Sequence, residues 1–198
     1  MGSSHVRNYS VIGSGLIGTS IALALRSRGH RVVMVDIDPA AQSLAQDLVG
    51  DDLPVGEIDL WIIATPISSL SSVISSLIQQ SLDFRFMDIS SVKTNPLHEV
   101  KSLGIDLTRF LPTHPMAGRE VGGAESARAD LFQGRPWIVD SSQASPEVLR
   151  LGCEVIESCG GHLIEMPSQI HDQAVALVSH LPQILSSTLA AQLNLAPQ

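Results

Sequence analysis

VIGSGLIGTS, residues 11–20, sets Gly13, Gly15 and Gly18 in G-x-G-x-x-G spacing between a β-branched run and an apolar helical pattern. Alone, that spacing is common, because glycines mark many turns. Its context gives it physical meaning: a strand (NYSVIG, 8–13) enters the loop and a helix (16–29) leaves it. Gly13 then permits the tight turn, Gly15 lets a pyrophosphate approach the backbone, and Gly18 lets helix and strand pack closely. Ser14, Leu16 and Ile17 complete the loop and the first helical turn, whose unpaired N–H groups and positive dipole end suit phosphate. The next strand, RVVMVD (31–36), ends in Asp36. A carboxylate there can accept both ribose hydroxyls of an adenosine and repels a 2′-phosphate, so NAD is expected rather than NADP. Arg31 stands at the other end of that strand, badly placed to neutralise such a phosphate.

Outward from this loop, short β-branched runs alternate with amphipathic stretches. Helices are expected at 39–49, 67–80, 95–104 and 145–161, and strands at 59–65, 84–90, 107–113, 135–140 and 162–166. Pro and Gly bracket the 95–104 helix, and Ser-Pro opens the 145–161 helix. This alternation predicts an α/β fold of Rossmann type: a doubly wound, mostly parallel sheet covered on both faces. The continuous apolar runs VVMV and WIIA support strands buried on both sides. Cys153 and Cys159, six apart on a helix, fit neither a redox pair nor a metal site and read as small buried hydrophobes.

From Ser168 the pattern becomes one long helical stretch in which Pro182 is expected to introduce a kink. The expected organisation is residues 1–7 as tag or disordered, 8–167 as a dinucleotide-binding domain, and 168–198 as the start of an otherwise missing helical second domain. The last dozen residues should self-associate or stay disordered, because their apolar faces lack a partner.

Twelve Lys and Arg stand against twenty Asp and Glu, a net charge of −8, with no basic run. Nucleic acid is therefore not an expected partner. The longest apolar stretch, near 60–67, is too short to span a bilayer, and no signal pattern opens the chain, so a cytoplasmic location without membrane contact is expected. No metal site is expected.

Parallel open sheets bind ligands outside the carboxyl ends of their strands. On the expected topology those ends carry the glycine loop, Asp36, Thr65-Pro66, then Ser91 and Lys93, and finally His114. A neutral imidazole beside a nicotinamide can accept the proton an alcohol loses as hydride departs. Ser91 could hold the same hydroxyl, orient the imidazole, or cap a helix. Lys93 could bind a substrate carboxylate or complete a helix start. His171-Asp172 reads more readily as a helix start than as chemistry.

Taken in order, GSGLIGTS, ATPI (64–67), DISSVK (88–93), HPMAGRE (114–120) and HDQAVALVSHLP (171–182) resemble the prephenate and arogenate dehydrogenases of tyrosine biosynthesis. The resemblance spans nearly the whole chain and implies NAD-dependent oxidative decarboxylation: hydride leaves C4 of a cyclohexadienol and the ring carboxylate departs as carbon dioxide. It implies that His114 is base and hydrogen-bond partner for the 4-hydroxyl, with Ser91 beside it. It also implies a gating role for Glu120 and a substrate-pocket position for His180. Gln183 stands where many prephenate-using members carry His, which keeps arogenate open as the substrate. Family members also carry a helical domain that supplies a homodimer interface and a carboxylate-binding arginine, so a chain without it could bind NAD yet turn over poorly. Other hydroxy-acid oxidoreductases and a non-catalytic nucleotide-sensing module are the competing readings.

Overall fold

The computed structural model of the chain describes residues 6–80, 83–118 and 121–177. Seven strands form one sheet: β1 (Asn8–Ile12), β2 (Arg31–Val35), β3 (Leu60–Ile63), β4 (Phe86–Asp88), β5 (Phe110–Pro115), β6 (Pro136–Val139) and β7 (His162–Glu165). Their spatial order is β2-β1-β3-β4-β5-β6-β7. The first five run parallel; β6 pairs antiparallel with β5, and β7 runs parallel to β6. The expected Rossmann-type, mostly parallel sheet is the observed one.

Successive strand residues point to opposite faces, and the chain uses both. Val11, Ile62, Met87 and Leu111 pack with α1 (Leu16–Ser27), α2 (Pro39–Val49) and α5 (Pro146–Ser158). Their neighbours Ile12, Ile63, Phe86 and Phe110 pack on the other face with α3 (Leu70–Gln80) and α4 (Thr94–Ser102). Phe86 and Phe110 stack across the β4–β5 pair with centroids 4.7 Å apart. Burial on both sides explains the unbroken apolar runs. Cys159 is buried, and Cys153 is half-buried on α5, with no metal-ligating cluster around either among the described residues.

Two of the departures from the expected boundaries bear on how the site is built. The fifth strand starts three residues late, because Asp106 accepts the Thr108 N–H and winds residues 107–109 into a short 3-10 turn. At its far end the strand runs on to Pro115, so His114 lies on the strand rather than after it. Arg7, expected to belong to a tag or a disordered end, is part of the fold. Its guanidinium bonds Glu154 at 3.1 Å and Asp59 at 3.3 Å, and its N–H donates to His30. Residues 1–5 lie outside the described residues.

After β7 the chain enters α6 (Ser168–Val175). Asp140, just past β6, accepts hydrogen bonds from the Ser168 N–H and hydroxyl and so caps this helix. The expected kink at Pro182 lies outside the described residues. No helix among those described is long and apolar enough to cross a membrane.

Candidate active site

The glycine loop lies where strand order reverses, between β1 and β3, the crevice in which open α/β sheets hold ligands. Gly13 has φ +110°, and a Cβ there would sit 2.6 Å from the Ala64 carbonyl oxygen. A Cβ on Gly18 would sit 2.1 Å from the Gly13 oxygen. Both glycines are thus required by the protein's own packing. Gly15 is different: a Cβ there meets nothing within 4 Å. The space it leaves open faces solvent at the start of α1.

That helix start has no side-chain cap and no acidic residue in its first turn. Asp38 caps α2 and Ser145 caps α5. The first-turn N–H groups of α1, including those of Ile17 and Gly18, lack such a side chain and can receive an anion. The Ser14 and Thr65 hydroxyls flank the crevice, each buried and without a hydrogen-bond partner among the described residues. Pro66 follows, exposed. Asp36 stands beside the loop, one oxygen accepting the Ser14 N–H at 2.6 Å and the other the Asp38 N–H at 3.0 Å. A carboxylate has about four acceptor positions, so ribose hydroxyls can still be accommodated. Arg31 pairs with Asp52. These residues fit the phosphates and ribose of a dinucleotide.

The parallel register carries β1 through β5 to one common edge: Ile12 aligns with Ile63, Ile63 with Asp88, and Asp88 with Pro112. His114, two residues further, stands at the same edge as the glycine loop and is half-buried. Its Nδ1 lies 2.9 Å from Nε2 of His171, with the two rings edge-on, 5.1 Å between centroids. His171 Nδ1 in turn lies 2.8 Å from Oδ1 of Asp172. The same carboxylate accepts the N–H of Lys93 at 2.7 Å and of Thr94 at 2.8 Å, capping α4 from the neighbouring α6. Burial pushes the Asp172 carboxyl up, but hydrogen bonds from Thr94, His171 and Lys93 outweigh it and bring it down to about 2.

Lys93 requires a correction. A substrate-facing ammonium was one expectation, yet the side chain is 1% exposed and its Nζ bonds both oxygens of Asp88, at 2.8 and 2.7 Å, and the Thr113 carbonyl. An ammonium held this way cannot reach a substrate. The alternative expectation, completion of a helix start, describes its backbone, which is the N-cap of α4. Burial pulls its pKa down, with Asp88 opposing. Thr113 completes the buried network: its N–H donates to Asp88, its hydroxyl donates to the Asp88 carbonyl, and that hydroxyl accepts the Trp137 indole N–H. The residue before His114 is therefore fixed on every polar atom. Ser91 is exposed on the turn after β4 and does not cap α4, a place taken by Asp172. Glu120, His180 and Gln183 lie outside the described residues.

His171 and Asp172 sit in the first turn and a half of α6, where sequence alone reads them as a helix start, yet they contact His114 and cap α4. The available signal was two titratable groups adjacent in sequence, close after the last strand.

The chain matches the family described as "Prephenate dehydrogenase, nucleotide-binding domain" over residues 21–165. It belongs to that family. It is 34% identical over 192 residues to a Streptomyces niveus protein named "Probable prephenate dehydrogenase NovF", covering 96% of this chain and 53% of the relative. It is 29% identical to the cyclohexadienyl dehydrogenase of Zymomonas mobilis, covering 95% of this chain and 68% of that one. Among solved structures it resembles prephenate dehydrogenase from Aquifex aeolicus in complex with hydroxyphenyl propionate and NAD+. That match has TM-score 0.87 and 27% identity, covering 100% of this chain and 72% of that one. The arogenate dehydrogenase of Synechocystis also matches, with TM-score 0.80 and 29% identity, covering 93% of this chain and 68% of that one. The chain spans about half the length of the Streptomyces relative.

Proposed function

We propose that this chain forms the coenzyme-binding part of an NAD-dependent prephenate dehydrogenase, with residues 168–198 opening the helical domain that completes the substrate pocket. The observation that carries the reading is the placement of His114 on the sheet edge that also presents the glycine loop and Asp36. NAD+, held there, would accept the hydride that leaves C4 of the substrate.

The protein's own groups supply the rest. His114, as a neutral imidazole, takes the proton of the 4-hydroxyl as that carbon becomes a carbonyl. The bond to the ring carboxylate then breaks, its electron pair entering the ring, and carbon dioxide leaves. The oxygen on C4 recovers a proton as the ring becomes a phenol. Ser91, Glu120, His180 and Gln183 are assigned to the substrate side, and Ser14, Thr65 and Pro66 to the coenzyme side. A homodimer built through the helical domain and a cytoplasmic location belong to the same reading. The names of the relatives favour prephenate, so 4-hydroxyphenylpyruvate is the product.

The test follows NADH absorbance with prephenate, arogenate and simple 2-hydroxy acids in turn. It uses the 198-residue chain alone and joined to the C-terminal part of the Streptomyces niveus relative. Prephenate should be the preferred substrate. His114→Ala should keep NAD affinity within about twofold and lose turnover by about 10²–10⁴-fold, the range of a general base. Unchanged turnover in that variant removes His114 from the reaction.

A further inference from the structure

We propose that Asp172 is a positioning residue: through His171 it fixes the tautomer of His114, placing the hydrogen on Nδ1 and the lone pair on Nε2. The inference rests on the reading of His114 as the base, and it adds the reason why that base has one orientation of its proton.

The argument starts at the carboxylate. Asp172 accepts two backbone N–H groups of α4, from Lys93 at 2.7 Å and Thr94 at 2.8 Å. Those bonds hold both its oxygens in place, and an ionised carboxylate can only accept. His171 Nδ1, 2.8 Å from Oδ1, must therefore carry a hydrogen. A neutral imidazole has one N–H, so His171 Nε2 is then a lone pair. It faces His114 Nδ1 at 2.9 Å. Two lone pairs at that distance would repel, so His114 Nδ1 supplies the hydrogen. Its lone pair is left on Nε2, the nitrogen turned away from His171. Each link follows from the one before. The carboxyl is held at about 2, so Asp172 stays an acceptor throughout the neutral range. The second nitrogen of a functional His is commonly set by such a partner. Here the partner is another imidazole, and the decisive charge lies one residue further away.

A purely structural Asp172 would cap α4 and do nothing else. The experiment must therefore read the tautomer itself. Nitrogen-15 spectra of the 198-residue chain, labelled in its seven histidines, distinguish Nδ1–H from Nε2–H rings at pH 8 without substrate or coenzyme. His114→Gln assigns the signals. The expected spectrum shows His114 with its hydrogen on Nδ1. Asp172→Asn keeps an oxygen for the Thr94 N–H and gives up the Lys93 bond when its amide N–H faces His171 Nδ1. That reverses His171 and should move the His114 hydrogen to Nε2, at least a tenfold change in the tautomer ratio.

His171→Gln provides the second variant, because it leaves Asp172 on α4 and so keeps the helix capped. Its amide can donate or accept, so residue 171 no longer dictates the hydrogen and the tautomer ratio of His114 should change. Wild-type His114 with its hydrogen on Nε2, or a tautomer unmoved by both substitutions, overturns the proposal. The spectra need no turnover. A protein that shows the switch but does not oxidise prephenate would count against the proposed reaction and leave the relay standing.

Discussion

Gly15 and Gly18 stand three residues apart in one motif, yet the fold needs only one of them. Gly18 has the Gly13 carbonyl oxygen where its Cβ would go, and neither backbone can yield without moving the turn. Gly18→Ala should cost about 3 kcal/mol, the upper end of the usual range for overpacked sites, read as a lower urea midpoint. Gly15→Ala meets no protein atom. It should leave the urea midpoint nearly unchanged and weaken NAD binding by tenfold or more, measured by calorimetric titration. Equal stability losses in the two variants would contradict this division. The motif was legible in the sequence because its spacing encodes backbone geometry directly. Lys93 was not, because a lysine's partner is chosen by the tertiary structure: Asp88 lies only five residues away, but so do several other polar groups.

At the scale of elements, β4, β5 and α4 meet at that buried pair. Lys93 joins the Asp88 side chain on one strand to the Thr113 carbonyl on the next, and its own backbone starts α4. Breaking one side of a buried pair leaves an uncompensated charge, so Lys93→Met should destabilise by about 3–5 kcal/mol. Adding Asp88→Asn should recover part of that loss. Denaturation midpoints of the two variants test the coupling. Period and composition located nearly every element, since the apolar faces of α1, α3 and α5 repeat as a buried stripe must. They could not show that α6 returns to cap α4, because the partners Asp172 and Thr94 are 78 residues apart. Patterns report which face is buried and say nothing of which distant carboxylate finishes a helix.

For the whole molecule, the acid limit of stability follows from the carboxylates that hold α6. Asp172 is depressed to about 2, and Asp140 is also lowered: burial raises it, but its bonds from Ser142 and Ser168 prevail. A group depressed on folding stabilises the native state above its unfolded pKa, near 4, and loses that contribution as pH falls through the folded value. Asp172 alone supplies about 2 kcal/mol by this linkage. Melting temperature should therefore fall between pH 4 and pH 2, and Asp172→Asn should flatten that slope while lowering the plateau at pH 6. An identical slope in the variant would show that other carboxylates set the limit. The mostly parallel sheet and the common rim were foreseeable from the alternation of strands and helices. The antiparallel turn from β5 to β6 was not, because short strands of similar composition do not disclose their direction.

The imidazole pair also imposes a timetable on synthesis. His114 leaves the ribosome 57 residues before His171. Strands β1 to β5 can by then form a nascent sheet with its crevice for nucleotide. The ring on β5 meanwhile waits for α6 to emerge before it meets its partner ring. The coenzyme cradle can thus mature early, and the contact between the two rings closes only when the chain has doubled back.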